Sequence, residues 1–117
     1  MVMLSETPLA QSCYALMKQI PRGKVTTYKI LAEKLSTWPR VIWRICGANP
    51  DIAFLSYKKA LENAKDPAPC HRVVRSDGKV DGYAHGTETK IELLREEWID
   101  IDEKNKIRDL SAFLYRF

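Results

Sequence analysis

The sequence predicts a single, mainly α domain with a small β-hairpin. Three observations carry this: apolar residues recur at helical spacing in several stretches, Ser76-Asp77-Gly78 separates two short extended runs, and the chain has 117 residues. That length supports one modest core and little more. Thr7-Pro8 reads as an N-cap with proline at the first helical position. Leu9, Cys13, Leu16, Met17 and Ile20 follow at helical spacing, predicting a helix to about Gln19. Pro21-Arg22-Gly23-Lys24 turns the chain. Val25-Thr26 is extended, and Thr27 caps a second helix through Leu35 with Ile30, Leu31 and Leu35 on one face. Ser36 or Thr37 is expected to cap a third helix over 38–47, closed by Gly47 and Asn49-Pro50.

Residues 51–65 read as a further amphipathic helix striped by Phe54, Tyr57, Leu61 and Ala64, after which Asp66-Pro67-Ala68-Pro69 must leave helical geometry. Val73-Val74-Arg75 and Lys79-Val80-Asp81 flank the hairpin turn. Thr87 caps a helix over 88–98, with Ile91, Leu94 and Trp98 facing inward. The tail ends in Leu110, Phe113, Leu114, Tyr115 and Phe117, and such an apolar ending is expected to dock on the domain.

The apolar stretches are too short to span a bilayer, and residues 1–7 lack a basic region followed by an apolar run. No membrane is expected; the expected place is cytoplasmic, or the nucleoid or nucleus when bound there. Cys13, Cys46 and Cys70 are odd in number and have no CxxC spacing, which argues against a disulfide framework or a zinc finger. Neither metal nor cofactor is expected. Lys and Arg number 19 against 15 Asp and Glu, but their distribution says more. Residues 18–44 hold Lys18, Arg22, Lys24, Lys29, Lys34, Arg40 and Arg44 against the single acid Glu33. A basic segment of this kind attracts a phosphate backbone through counterion release, although a solvated basic face would look the same. Two short helices with a tight connection inside it suggest a helix-turn-helix.

Cys70 and His71 form the one place where a nucleophile and a possible base occur together. Thiolate attacks carbon far better than thiol, and His71 and Arg72 could favour it. Neighbours on an extended segment point to opposite faces, however. A bridging water or a third group is needed, and spacing alone leaves open a structural cysteine beside a surface histidine.

The run Pro69-Cys70-His71-Arg72-Val73-Val74-Arg75-Ser76-Asp77-Gly78, then Gly82-Tyr83-Ala84-His85-Gly86 and Lys90-Ile91-Glu92-Leu93-Leu94, resembles the C-terminal domain of O6-alkylguanine-DNA alkyltransferases, the methylated-DNA–protein-cysteine methyltransferases. Ile20-Pro21-Arg22-Gly23-Lys24-Val25-Thr26-Thr27-Tyr28 resembles that family's approach to its helix-turn-helix. Arg40, followed nine residues later by Asn49-Pro50, resembles its recognition helix and asparagine hinge. The resemblance implies a winged helix-turn-helix-like alkyltransferase C-terminal domain acting as a monomer on double-stranded DNA with an alkylated base.

By this resemblance Cys70 accepts the alkyl group, His71 acts as base through a water, and Glu97 orients that histidine. Arg40 fills the gap left by a flipped nucleotide. Tyr28 rotates the 3′ phosphate and offers a proton to the base, with Thr27 and Arg44 also on the DNA side. Asn49 holds the hinge, Tyr83 closes over the alkyl pocket, and Pro69, Val73 and Ser76 belong to the segments that shape it. Cys13 and Cys46 are read as packing residues, and His85 receives no role.

Three departures stand out. The family's C-terminal part begins at Thr7, so no N-terminal domain is expected, nor the zinc some members bind there. Residues 51–68 are an insertion before the Pro-Cys pair, read as an extra helix beside the alkyl pocket. Val41, Ile42, Trp43 and Arg44 replace the small residues of the recognition helix, and Trp43 is expected to pack against the insertion. Two other readings stay open: an alkyltransferase-like sensor that binds the lesion without transfer, and a cysteine hydrolase using Cys70, His71 and Glu97.

Overall fold

A computed structural model of the chain describes residues 4–49, 57–62, 67–83 and 86–117. The fold is mainly helical, as the spacing predicts, around a two-stranded sheet. Helix α1 (Pro8–Met17) starts where Thr7 accepts the Ala10 N–H, and it buries Ala10, Cys13, Tyr14 and Met17. The Tyr14 hydroxyl donates to the Ile45 carbonyl at 2.7 Å and ties α1 to the third helix. Strand β1 (Thr26–Thr27) leads directly into α2 (Tyr28–Lys34), whose first turn is capped by the Thr27 hydroxyl accepting from Ile30.

Helix α3 (Pro39–Gly47) starts later than the cap residues suggested. Ser36 adopts φ 55° and closes α2: the Ser36 N–H donates to Glu33 and the Thr37 N–H donates to Ala32 at 2.8 Å. That pair of bonds satisfies the last carbonyls of α2. Pro39 at the first helical position holds Trp38 extended, so Trp38 takes the N-cap place without a side-chain cap bond. Ile42, Ile45 and Cys46 face the core, while Arg40, Trp43, Arg44 and Gly47 face out. The two helices thus form the expected pair, with the exposed side of α3 carrying both arginines.

Helix α4 (Tyr57–Glu62) is the described part of the inserted segment. Its Leu61 is 49% exposed, against the apolar stripe drawn for it; Phe54 and Ala64 lie outside the described residues. The chain then makes a 3-10 turn (Cys70–Arg72) and enters β2 (Val73–Val74). The expected hairpin is corrected here. Its turn forms, with Gly78 (φ 86°) donating to Arg75 at 2.8 Å, but β2 pairs parallel with β1, Thr26 opposite Val73 and Thr27 opposite Val74. The two arms share one bond, Arg75 N–H to the Lys79 carbonyl at 3.2 Å, and beyond it the returning segment bonds the tail, Val80 to Asn105 at 2.8 Å and Ile107 to Gly78 at 2.9 Å. The tail supplies the partner that the sequence pattern assigned to the neighbouring strand.

Successive strand residues point to opposite faces. Val73 therefore joins the cluster built from α1, α2 and α3, and Val74 joins a second one with Val25, Val80, Ile91, Leu94, Ile99, Ile101 and Ile107. The tail docks as expected. The Val25 N–H donates to Phe113 at 2.9 Å, the Tyr115 N–H donates back to Val25 at 2.7 Å, and Leu110 and Phe113, the ends of α6 (Leu110–Phe113), pack on the second cluster.

Helix α5 (Thr87–Glu96) takes Gly86 (φ 97°) as its N-cap in place of Thr87, and it stops two residues before Trp98. Trp98 does not face inward: it is 86% exposed with φ 68°. The Trp98 N–H donates to Arg95 and the Ile99 N–H to Leu94, which closes the helix and packs Ile99 on Leu94. The left-handed geometry suits glycine, and an exposed indole contributes little packing. Trp98→Gly should therefore stabilise the fold by about 1 kcal/mol, seen as a higher urea midpoint at unchanged slope. No described helix is long and apolar enough to cross a membrane.

Candidate active site

Cys70 opens the 3-10 turn that follows the buried stretch Pro67-Ala68-Pro69. The turn is fastened by the Cys70 N–H donating to Ala68 and the Arg72 N–H donating to Pro69, both at 2.9 Å. Asn49, just beyond α3, reaches it from the other side. One amide nitrogen donates to the Ala68 carbonyl at 3.0 Å and to the Cys70 sulfur at 3.1 Å. Helix α3 and the turn that carries Cys70 are thereby joined through a single side chain. Met17 Sδ lies 3.5 Å from Cys70 Sγ.

Cys13 and Cys46 are buried in the same cluster, the packing role expected of them. The Cys46 thiol is held well above the usual range, first by a hydrogen bond with Cys70 and then by burial. Burial, more than the neighbouring Cys70, pushes Cys13 up to about 12.

His71 turns away from Cys70. Its Nε2 meets Glu97 Oε2 at 2.7 Å, and the ring is fully buried. Arg72 grips the same carboxylate twice, Nε to Oε1 at 2.9 Å and Nη2 to Oε2 at 3.0 Å, and its Nη1 donates to the Ile20 carbonyl at 2.8 Å. Burial works to raise the Glu97 carboxyl, but the hydrogen bonds from His71 and Arg72 overcome it and bring the group down to about 2. Burial lowers His71 below its ordinary value, ahead of the opposing pull of Glu97. A neutral imidazole facing an ionised carboxylate through Nε2 carries its hydrogen there. Nδ1 is then the lone-pair atom, and it has no hydrogen-bond partner among the described residues. The geometry suits a base that takes up a proton at Nδ1 while Glu97 steadies the resulting cation.

Tyr83 stands edge-on to His71 with ring centroids 6.4 Å apart, and burial raises its phenol. Val73 and Pro69 are buried as well. Lys90, quoted in the sequence motif without a role, is fully buried; its Nζ donates to the Asp81 carbonyl at 2.8 Å and to the Tyr28 hydroxyl at 3.3 Å. Burial lowers its ammonium to about 8. Burial, then the neighbouring thiols, raise the Tyr28 phenol, so its hydroxyl keeps its proton.

Of the other expected residues, Arg40, Arg44 and Ser76 lie at the surface, whereas Thr27, expected on the DNA side, does not. Arg40 and Arg44 are exposed four residues apart on α3, and Arg40, Tyr28, Trp43, Arg75 and Asp81 line one groove. Tyr28 also lines a second groove, with Trp38, Arg75 and Ser76. Thr27 is buried, and its hydroxyl is engaged in capping α2. Trp43 is half-exposed over Gly82, where an added Cβ would come 2.6 Å from the indole nitrogen. Trp43 thus contacts the loop before Tyr83; its expected packing on the insertion falls on a segment of which residues 50–56 and 63–66 lie outside the described residues.

Sequence reasoning missed Arg72 as the clamp on Glu97, Lys90 beneath Tyr28, and the contact of Tyr57 with His71. For Lys90 a signal existed: it follows Gly86 by four residues on a helix whose Leu94 and Ile91 face in.

A family model described as 6-O-methylguanine DNA methyltransferase, DNA binding domain, matches residues 8–99. The chain is 40% identical over 99 residues to a methylated-DNA–protein-cysteine methyltransferase of Candida albicans, covering 85% of this chain and 49% of that protein. It is 44% identical over 78 residues to the protein of that name from Pyrobaculum aerophilum, covering 67% and 44%. The chain spans about half the length of these curated relatives. A crystal structure of Mycobacterium tuberculosis OGT in complex with DNA superposes with TM-score 0.61 at 29% identity, over 78% of this chain and 50% of that one. S. pombe Atl1 in complex with damaged DNA containing O6-carboxymethylguanine shares the fold over all of both chains, TM-score 0.69 at 20% identity.

Proposed function

Because the chain belongs to the 6-O-methylguanine DNA methyltransferase family, we propose that it repairs DNA by flipping out an alkylated base, O6-alkylguanine or similar, and moving the alkyl group irreversibly to Cys70. The observation that carries this reading is a buried Cys70 held by Asn49 and followed in the chain by a buried, neutral His71 whose Nε2 is fixed by Glu97.

The alkyl carbon lies within the stacked duplex, so the base must leave the stack at a cost of a few kcal/mol. Arg40, exposed at the start of α3, fills the space left behind, and phosphate contacts from the basic segment, Arg44 included, offset part of the cost. His71 Nδ1 takes the thiol proton of Cys70 through a water. The sulfur attacks the alkyl carbon in line, the S–C bond forms, and the C–O6 bond breaks with its electron pair going to the base. Tyr28, protonated above the buried Lys90, gives its hydroxyl proton to the departing base and recovers one from solvent as His71 releases the proton it took. The thioether is stable, so the protein turns over once.

The test is intact mass after incubation with a duplex carrying O6-methylguanine. A gain of one methyl group supports transfer. Tight lesion binding at unchanged mass supports the second reading, a sensor, which the 3% exposure of Cys70 favours. Repeated turnover supports a hydrolase.

Arg40→Ala should abolish the preference for lesion over plain duplex while leaving nonspecific binding and its salt slope intact. Equal loss of both, with the slope falling by about 1, would make Arg40 a phosphate contact only. Filter binding at several salt concentrations reads both.

A further inference from the structure

His71 is enclosed on several sides, and one wall comes from the insertion. Glu97 holds Nε2 from the end of α5, Arg72 shares that carboxylate, Lys90 of α5 adds its charge, and Tyr83 stands edge-on from the loop. Tyr57, the first residue of α4, packs its ring against the imidazole with centroids 4.5 Å apart and planes at 60°. The same ring lies 5.7 Å beneath the guanidinium carbon of Arg72. Beside it, Lys58 joins Glu96 of α5 at 2.7 Å across a half-exposed surface. The described helix of the insertion therefore docks on both His71 and α5, the helix that leads into Glu97.

We propose that Tyr57 is a positioning residue for His71: its ring fixes the imidazole plane on Glu97 and keeps water from that face, so that Nδ1 remains the accepting atom. The inference rests on the reading of His71 as the base and assigns the insertion a part in it. An edge-on aromatic contact has a preferred geometry, which a shapeless apolar neighbour lacks. The same ring faces Arg72, whose clamp on Glu97 sets where the carboxylate oxygens stand. Burial is the largest cause of the lowered His71 pKa, and Tyr57 is one of the groups that bury it.

The experiment is an NMR titration of His71 in the full chain, with the pH profile of alkyl transfer measured alongside. Tyr57→Ala should raise the His71 pKa towards its ordinary value. It should also move the acid limb of transfer to higher pH, slowing transfer about tenfold at the foot of that limb. Tyr57→Phe keeps the ring and should match the wild type in both readouts. Lys58→Ala, which removes only the surface ion pair, should match it too. If Tyr57→Ala does not fold, Tyr57→Leu should shift both readouts in the same direction by less. An unchanged His71 titration in the variant lacking the ring overturns the proposal, as does a phenylalanine variant that behaves like the alanine one. A wild-type protein that titrates normally but transfers nothing would count against the base role of His71 and leave the titration to decide the placement of Tyr57.

Discussion

Glu97→Ala should cost about 3–5 kcal/mol of folding stability, because it strands the Arg72 guanidinium in the interior without its anion. Arg72 and Glu97 are both buried, and the carboxylate takes two bonds from Arg72 and one from His71. A domain of this size has about 5–15 kcal/mol in hand, so urea unfolding should show a large fall in midpoint. Transfer should fall further than the folded fraction, by about 10²–10⁴-fold, as expected when a base loses its orienting partner. The acid side of the stability curve follows from the same groups. His71 has a folded pKa below its ordinary 6.5, so the unfolded chain binds the extra proton and stability starts to fall as pH drops past that value. Glu97 is lowered from 4.5 to about 2; its contribution is complete above 4.5 and is lost as pH falls through about 2. Two steps in acid are expected, and Glu97→Ala should erase the lower one.

Lys90→Ala is the second large effect, about 2–5 kcal/mol, by analogy with other large-to-alanine changes in a core. It opens a space beneath Tyr28 and leaves the Asp81 carbonyl and Tyr28 hydroxyl without their donor. Lys90→Met keeps most of the volume and removes the buried charge, so its cost should be clearly smaller. Lys90 is lowered from 10.5 to about 8, so its own contribution to stability should rise as pH increases from 8 to 10.5, against the opposite contribution of the raised Cys13 and Cys46 thiols above about 9. The methionine variant should lack that rise, which thermal unfolding across this range will read.

Much of the fold could be read locally. Thr7-Pro8 and Thr27 are caps whose partners lie three residues away, so sequence neighbours suffice to place α1 and α2. The failures are non-local. Val73-Val74 pairs with Thr26-Thr27, 47 residues back, and the turn at Gly78 gave no sign that the outgoing arm would bond Asn105. Trp98 and Ser36 were misplaced because helix closure used left-handed residues other than glycine, a choice set by what Ile99 and Thr37 bond beyond them.

The site divides the same way. Cys70 and His71 stand together in the chain, and the resemblance supplied Glu97 and Asn49. Adjacency did not make a bonded pair, for the 3-10 turn sends His71 to Glu97 and Cys70 to Asn49. Arg72 was read only as a charge beside Cys70 and Tyr57 only as part of an apolar stripe, because the Arg72 clamp on Glu97 and the Tyr57 contact with His71 form between segments distant in sequence.

The central claim is that Cys70 takes the alkyl group, once. The direct measurement is the stoichiometry of methyl transferred from a labelled O6-methylguanine duplex, with the label located by peptide mass. One methyl per protein molecule is expected, on the peptide containing Cys70, and none in Cys70→Ala even though that variant still binds the lesion. Label on another residue, release of methyl beyond one per protein, or lesion binding with no label at all would contradict it.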